Sequence, residues 1–174
     1  QDIKGVYIIG DPRDVAVSLY HWILRYPEHR WHTYFREALP DDASRLSATI
    51  LGLESWLSDG TELRLYPVGN IFQSRIRLME HPRFCTVAFE QLIGPRGGGT
   101  AEAQAAAIGR IARHLGIRLG ERHLRRIVSG AFSDASPTFR QGRIGGWKQE
   151  MTPEHKREFK DPAGQLLIEL GYET

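Results

Sequence analysis

One cysteine, Cys85, and two methionines are all the sulfur in this chain of 174 residues. A lone thiol excludes an internal disulfide framework, and the lack of a Cys-x-x-Cys pair argues against a thiolate zinc site. No apolar run approaches the roughly 20 residues that a membrane-spanning helix needs, and the opening QDIKGVYII lacks the layout of a signal peptide. Internal repeats and low-complexity tracts are missing as well. Net charge is only +2, which argues against a generally basic, nucleic-acid-coating surface. What remains is the composition of a soluble globular protein, 41% hydrophobic and 25% charged, long enough for one domain with a real core. The expectation is a cytoplasmic protein in which Cys85 is a buried strand residue. Because the chain starts at Gln1 and is already strand-like by Val6, it reads as one domain over residues 1–174 whose amino-terminal part is missing.

The run Val6 to Ile9, closed by Gly-Asp-Pro, predicts a buried parallel strand. A helix apolar almost all round follows, with Asp14 as its expected N-cap. RYPEHRWHTYFREALPDD has no clean period and reads as a loop with helical turns. A helix is expected from about Asp42 to Leu57, then an irregular link through SDGTELRLYPVGN, then a short helix from Ile71 to Glu80. Phe84 to Phe89 predicts a second buried strand. Thr100 is expected to cap a helix reaching Leu115, IRLGERHLRRIVSG supplies another, and Thr152 with Pro153 opens a last one, broken near Asp161-Pro162 and reaching Leu170. Strands separated by helices imply a parallel α/β sheet.

Ligands of such sheets bind beyond the carboxyl ends of the strands, where turns lead into helices. Gly10 to Asp14 is one such turn. It admits two readings: the helix terminus and Ser18 hold an anion such as a phosphate, or Asp11, Pro12 and Asp14 simply shape the turn. A second stretch weighs on the choice. From Arg110 to Lys148 nine Lys or Arg residues face only Glu121 and Asp134, and TFRQGRIGGWK sets Arg140, Arg143 and Lys148 among three glycines. Glycine lets backbone approach a ligand, and arginine forks grip phosphate or sulfate oxygens in pairs. GPRGGGT lacks the spacing and lysine of a phosphate loop and reads as a tight turn. His29 and His32 have nothing nearby to complete a metal site and read as surface histidines, whereas His21 reads as a packed core histidine.

The two stretches, in this order, resemble those of sulfotransferases that use 3'-phosphoadenosine-5'-phosphosulfate (PAPS), and the likeness is to the carboxyl-terminal two-thirds of a bacterial member. IIGDPRDVAVSLYHW is similar to the family's strand-turn-helix, R-[DN]-P-R-D-V-x-x-S. TFRQGRIGGWKQEMTPEH is similar to its R-K-G-x-x-G-x-W-[KR] signature, and VAFEQL to its strand ending in YEDL or FEDL. The resemblance implies a P-loop-kinase-like fold, a parallel sheet flanked by helices, here a partial domain. It implies that Ser18 binds the 3'-phosphate and that Arg140, Gln141 and Gly142 close over the same group. Phe89 and Phe132 would lie at the adenine, and Trp147 would pack the signature loop onto the nucleotide site. It further implies sulfuryl transfer from PAPS to a hydroxyl or amine of a small-molecule acceptor, with PAP (adenosine 3',5'-bisphosphate) as product and no metal, nucleic acid or membrane involved. The family's catalytic histidine and phosphosulfate-loop lysine are expected before Gln1, so the fragment should be inactive alone.

Three positions depart from the family pattern. Gly10 aligns with its first arginine, Gln141 with a common lysine and Gly146 with a frequent aspartate. A lost charge-assisted bond to a phosphate costs about 1.5–3 kcal/mol, and Arg13 stands close enough in sequence either to compensate in part or only to brace the turn. The rival reading is a non-catalytic nucleotide-binding or scaffolding module of the same fold. A nucleic-acid-binding role for the Arg110 to Lys148 face is disfavoured, because aromatics are not interleaved along it.

Overall fold

A computed structural model describes residues 3–56, 59–133, 135 and 139–174. Its elements run β1 (Gly5–Ile9), α1 (Pro12–Arg25), α2 (His32–Glu37), α3 (Asp42–Leu51), β2 (Leu53–Trp56), β3 (Glu62–Leu65), α4 (Val68–Gln73) and α5 (Ile76–Glu80). Then follow β4 (Phe84–Ala88), α6 (Phe89–Leu92), a 3-10 turn (Pro95–Gly97), α7 (Ala101–Leu115), α8 (Glu121–Ala131), α9 (Trp147–Glu150) and α10 (Pro153–Glu169). The chain divides into two units, Gln1–Gly10 with Arg75–Ile144, and Asp11–Ser74 with Gly145–Thr174.

The first unit contains the parallel sheet. β1 pairs with β4 in parallel, Val6 opposite Cys85 and Ile9 opposite Ala88. Helices α5, α6 and α7 pack on β4. Neither strand is buried throughout, contrary to expectation: only Ile9 and Val87 are buried, Cys85 is half-buried, and Ile8 is exposed. Among the described residues the sheet has two strands, so each strand has one partner. Thr100 caps α7 as predicted, its hydroxyl accepting the Ala103 N–H at 3.1 Å.

The second unit has a helical core. Helix α1 buries Ala16, Val17, Tyr20 and Ile23 and packs on α3, where the Thr49 hydroxyl donates to the Ala16 carbonyl at 3.1 Å. Trp31, Phe35, Leu46, Ile50, Phe159 and Leu167 complete the core. The helix expected to reach Leu57 stops at Leu51, because Gly52 turns the chain at φ 82°. Leu53–Trp56, expected as the end of that helix, is instead strand β2, and it pairs antiparallel with β3, which lies in the segment read as an irregular link; in β3 Leu63 and Leu65 face inward and Glu62 and Arg64 face solvent. The expected Ile71–Glu80 helix is two short ones, α4 and α5. Helix α10 is unbroken through Pro162. Its first turn carries a reciprocal cap: Thr152 Oγ1 accepts the His155 N–H, and His155 Nδ1 accepts the Thr152 N–H.

Candidate functional site

Helix α1 starts earlier than the sequence predicts. Asp11, not Asp14, is the N-cap; its carboxylate accepts the Arg13 N–H at 2.9 Å, and Pro12 takes the first helical position. Two carboxylates thereby occupy the positive end of the helix dipole, Asp11 as the cap and Asp14 in the first turn. The Arg13 N–H of the first turn is therefore taken by Asp11. Ser18 lies seven residues past the cap, about 10 Å along the axis at 1.5 Å per residue, and is exposed. No described residue hydrogen-bonds its hydroxyl.

Arg13 is 7% exposed. Its guanidinium forks onto Asp11, Nε at 2.9 Å from Oδ1 and Nη2 at 2.8 Å from Oδ2. Nη1 donates to Glu173 at 2.6 Å, and the plane lies 4.0 Å from the centroid of the Trp147 indole. All of these groups belong to the second unit. Of the two roles the sequence left open for Arg13, partial substitute for the missing arginine or brace of the turn, the geometry is that of a buried brace, its donors directed at two carboxylates and the Tyr172 carbonyl.

Asp14, freed from capping, reaches the signature loop. Its Oδ2 accepts the Gly145 N–H at 2.7 Å and its Oδ1 the Trp147 N–H at 2.8 Å. Gly145 has φ 72°, a conformation natural to glycine, and this turns the chain so that both N–H groups converge on one carboxylate. Trp147 is half-buried and opens α9. At the far end of α9, Glu150 Oε2 lies 2.5 Å from His21 Nε2 and accepts from the Tyr20 hydroxyl at 3.3 Å. His21 is therefore a half-exposed, carboxylate-paired histidine, not a core residue. His32, expected at the surface, is buried with Nδ1 2.9 Å from the Ile23 carbonyl.

The rest of the loop lies in the first unit. Ile144 N–H donates to the Gly97 carbonyl at 3.1 Å, so the GPRGGG turn seats the loop. Phe132 and Phe139 meet edge to face at 5.6 Å, and Gly142, at φ 53°, comes so close that a Cβ there would stand 2.6 Å from the Phe139 ring. The Arg96 guanidinium lies 4.4 Å from the Phe132 ring centroid. Arg96 was not singled out from the sequence, where GPRGGG read only as a turn; its separation from Phe132 in sequence hides the contact. Arg140 and Gly142 are half-buried, and Gln141 and Arg143 are exposed. Phe89 is half-buried at the first position of α6, directly after β4. Of the candidate residues, then, Phe132 and Gly142 are in contact in the first unit, and Arg13 and Trp147 in the second. Gly10 is not among the positive-φ glycines.

Among the described residues there is no group of three His, Cys, Asp or Glu side chains placed to hold a metal ion, and no helix is long and apolar enough to cross a membrane.

A parallel sheet flanked by helices, with this order of elements, is the P-loop-like α/β fold of sulfotransferases. The particular likeness is to the crystal structure of mouse sulfotransferase SULT7A1 complexed with PAP, with a TM-score of 0.67 at 16% identity. The superposition covers 99% of this chain and 64% of that one. No protein-family model and no curated protein sequence matches the chain.

Proposed function

We propose that this chain is the nucleotide-binding part of a PAPS-dependent sulfotransferase. The observation that carries the proposal is the bidentate use of Asp14: this residue of the first motif takes the N–H groups of Gly145 and Trp147 of the second, 131 and 133 residues away in sequence. The fold of a sulfotransferase solved with PAP supports it. In this reading the exposed Ser18 hydroxyl donates to the 3'-phosphate. Arg140, Gln141 and the backbone at Gly142 bind the same group, since the positive φ of Gly142 and the missing Cβ leave its backbone approachable. Phe132 and Phe89 offer ring faces and edges to adenine, and Trp147 keeps the loop seated. In the transfer, an acceptor hydroxyl or amine attacks sulfur, the bond from sulfur to the 5'-phosphate oxygen breaks, PAP leaves, and the acceptor proton passes to a base. The acceptor is a small molecule, nucleic acid and membrane take no part, and the setting is the cytoplasm.

Titration calorimetry of the chain with PAP tests this. Ser18→Ala and Arg140→Ala are each expected to weaken binding about tenfold or more, with adenosine 5'-phosphate, which lacks the 3'-phosphate, affected by neither. Absence of saturable PAP binding, or indifference to both substitutions, overturns the assignment. One observation favours a second reading: with Gly10 in place of arginine, PAP binding that survives without sulfuryl transfer in the complete protein would mark a non-catalytic nucleotide-binding module.

A further inference from the structure

A loop carrying Gly142, Gly145 and Gly146 has little backbone order of its own, and α9 is only four residues long. Something else must hold the segment. An acidic residue in the first turn of a helix ordinarily serves its own N-terminus. Asp14 does more; its two oxygens each take one N–H from residues flanking the buried Gly146. One of those donors is Trp147, the first residue of α9, so Asp14 also caps that short helix from outside. Its neighbour Arg13 lies over the indole of the same Trp147 at 4.0 Å, aimed there by the Asp11 fork and by Glu173. Backbone and side chain of one residue are thus fixed by two consecutive residues of α1.

We propose that Arg13 and Asp14 are the positioning pair of the signature loop, holding Gly145 to Trp147 so that the residues just before them are ordered before nucleotide arrives. The inference rests on the PAP-binding reading above and adds residues that touch no ligand. Its physical basis is preorganisation: Arg143 and Arg140 lie two and five positions before Gly145, and a tethered end reduces the freedom they lose on binding a phosphate. The carboxylate is required as such. Asn has one acceptor oxygen and would turn an amide N–H toward the second donor, and Glu would displace both oxygens by a methylene.

The test compares the wild-type chain with Asp14→Asn, Asp14→Glu and Arg13→Lys. Hydrogen exchange at the amides of Gly145 and Trp147 is expected to accelerate at least tenfold in Asp14→Asn, while amides of α3 and α7 keep their protection. PAP affinity should fall about tenfold and adenosine 5'-phosphate affinity should not change, a selectivity that general destabilisation would not produce. Arg13→Lys should leave the Gly145 amide protected but shift the Trp147 fluorescence. Unchanged exchange in Asp14→Asn overturns the anchor. Faster exchange with unchanged PAP affinity overturns its role in binding. If the wild-type chain itself fails to bind PAP, the functional reading falls, and the exchange arm still decides whether the anchor exists.

Discussion

The stretch from Phe139 to Glu150 is secured by opposite means at its two ends. In the first unit the attachment is apolar and close: Gly142 lies against the Phe132 and Phe139 rings, and Ile144 bonds backbone to backbone with Gly97. In the second it is ionic: Asp14 takes two N–H groups, and the Arg13 guanidinium, held by Asp11 and Glu173, covers Trp147. The first kind of attachment depends on the absence of atoms, so any added methyl breaks it. The second depends on charges that are costly to bury singly, so removing one partner leaves the other stranded. Their surroundings differ in the same sense. The second unit contains nearly all of the largest fully buried side chains, including Trp31, Phe35 and Phe159, and can enclose an ion pair; the first contributes Val87.

The largest expected effect breaks the ionic end. Arg13→Ala leaves Asp11 buried without its fork and should cost about 3 kcal/mol, the low end for a broken buried pair because Glu173 is partly exposed. Urea unfolding of the variant measures it; a cost below about 1 kcal/mol would show that the brace is ornamental. Next comes the apolar end. A Cβ at Gly97 would stand 2.6 Å from the Gly142 carbonyl oxygen and collide with Ile93, so Gly97→Ala should cost about 1–3 kcal/mol by overpacking. The same substitution at Gly98, beside it but in open space, should cost only the strain of its positive φ, which makes it the control.

Smaller effects sharpen the contrast between units. Thr100→Ala and Thr152→Ala each remove a helix cap and should cost about 1 kcal/mol. Thermal unfolding should place the second at or above the first, since only Thr152 is capped in return by its own third residue, His155. The smallest is a pH effect. Desolvation first, then the charge of Arg30 and of His32, holds the His29 pKa below its ordinary 6.5. The unfolded chain binds that proton more tightly, so His29 contributes stability above pH 6.5 that is lost as pH falls from 6.5 toward the depressed folded value. Protonation also removes the Nδ1 acceptor that takes the Trp31 N–H at 3.2 Å. In His29→Gln, the slope of stability against pH just below 6.5 should flatten; an unchanged slope would assign the acid sensitivity to other groups.

Much of the architecture was legible in local signals. Both parallel strands, the Thr100 and Thr152 caps and the long helices announce themselves through apolar runs, hydroxyl caps and Pro153. The β2–β3 pair was missed: Leu53–Trp56 was read as the end of a helix and Glu62–Leu65 as an irregular link, because an alternation of four residues is too short to outweigh the helical period before it. Helix starts misled where two candidates compete. Asp11 and Asp14 are both good caps, and Pro12 at the first helical position is the residue that decides for Asp11.

What the amino-acid sequence determined by itself is therefore periodicity, punctuation and chemical inventory: where the long helices and the two parallel strands lie, and that arginines and glycines share one loop with a tryptophan. Local energies suffice for these, because each depends on residues within a turn or two of one another. Only the tertiary structure decided what Arg13 and Asp14 do. A guanidinium or a carboxylate binds whichever partner the fold presents, and here the partners, Glu173 for one and Gly145 and Trp147 for the other, stand more than 130 residues away along the chain. The same holds for Arg96, which finds the Phe132 ring only once the chain has folded back, and for His32, whose burial depends on the Ile23 carbonyl being there to accept its proton.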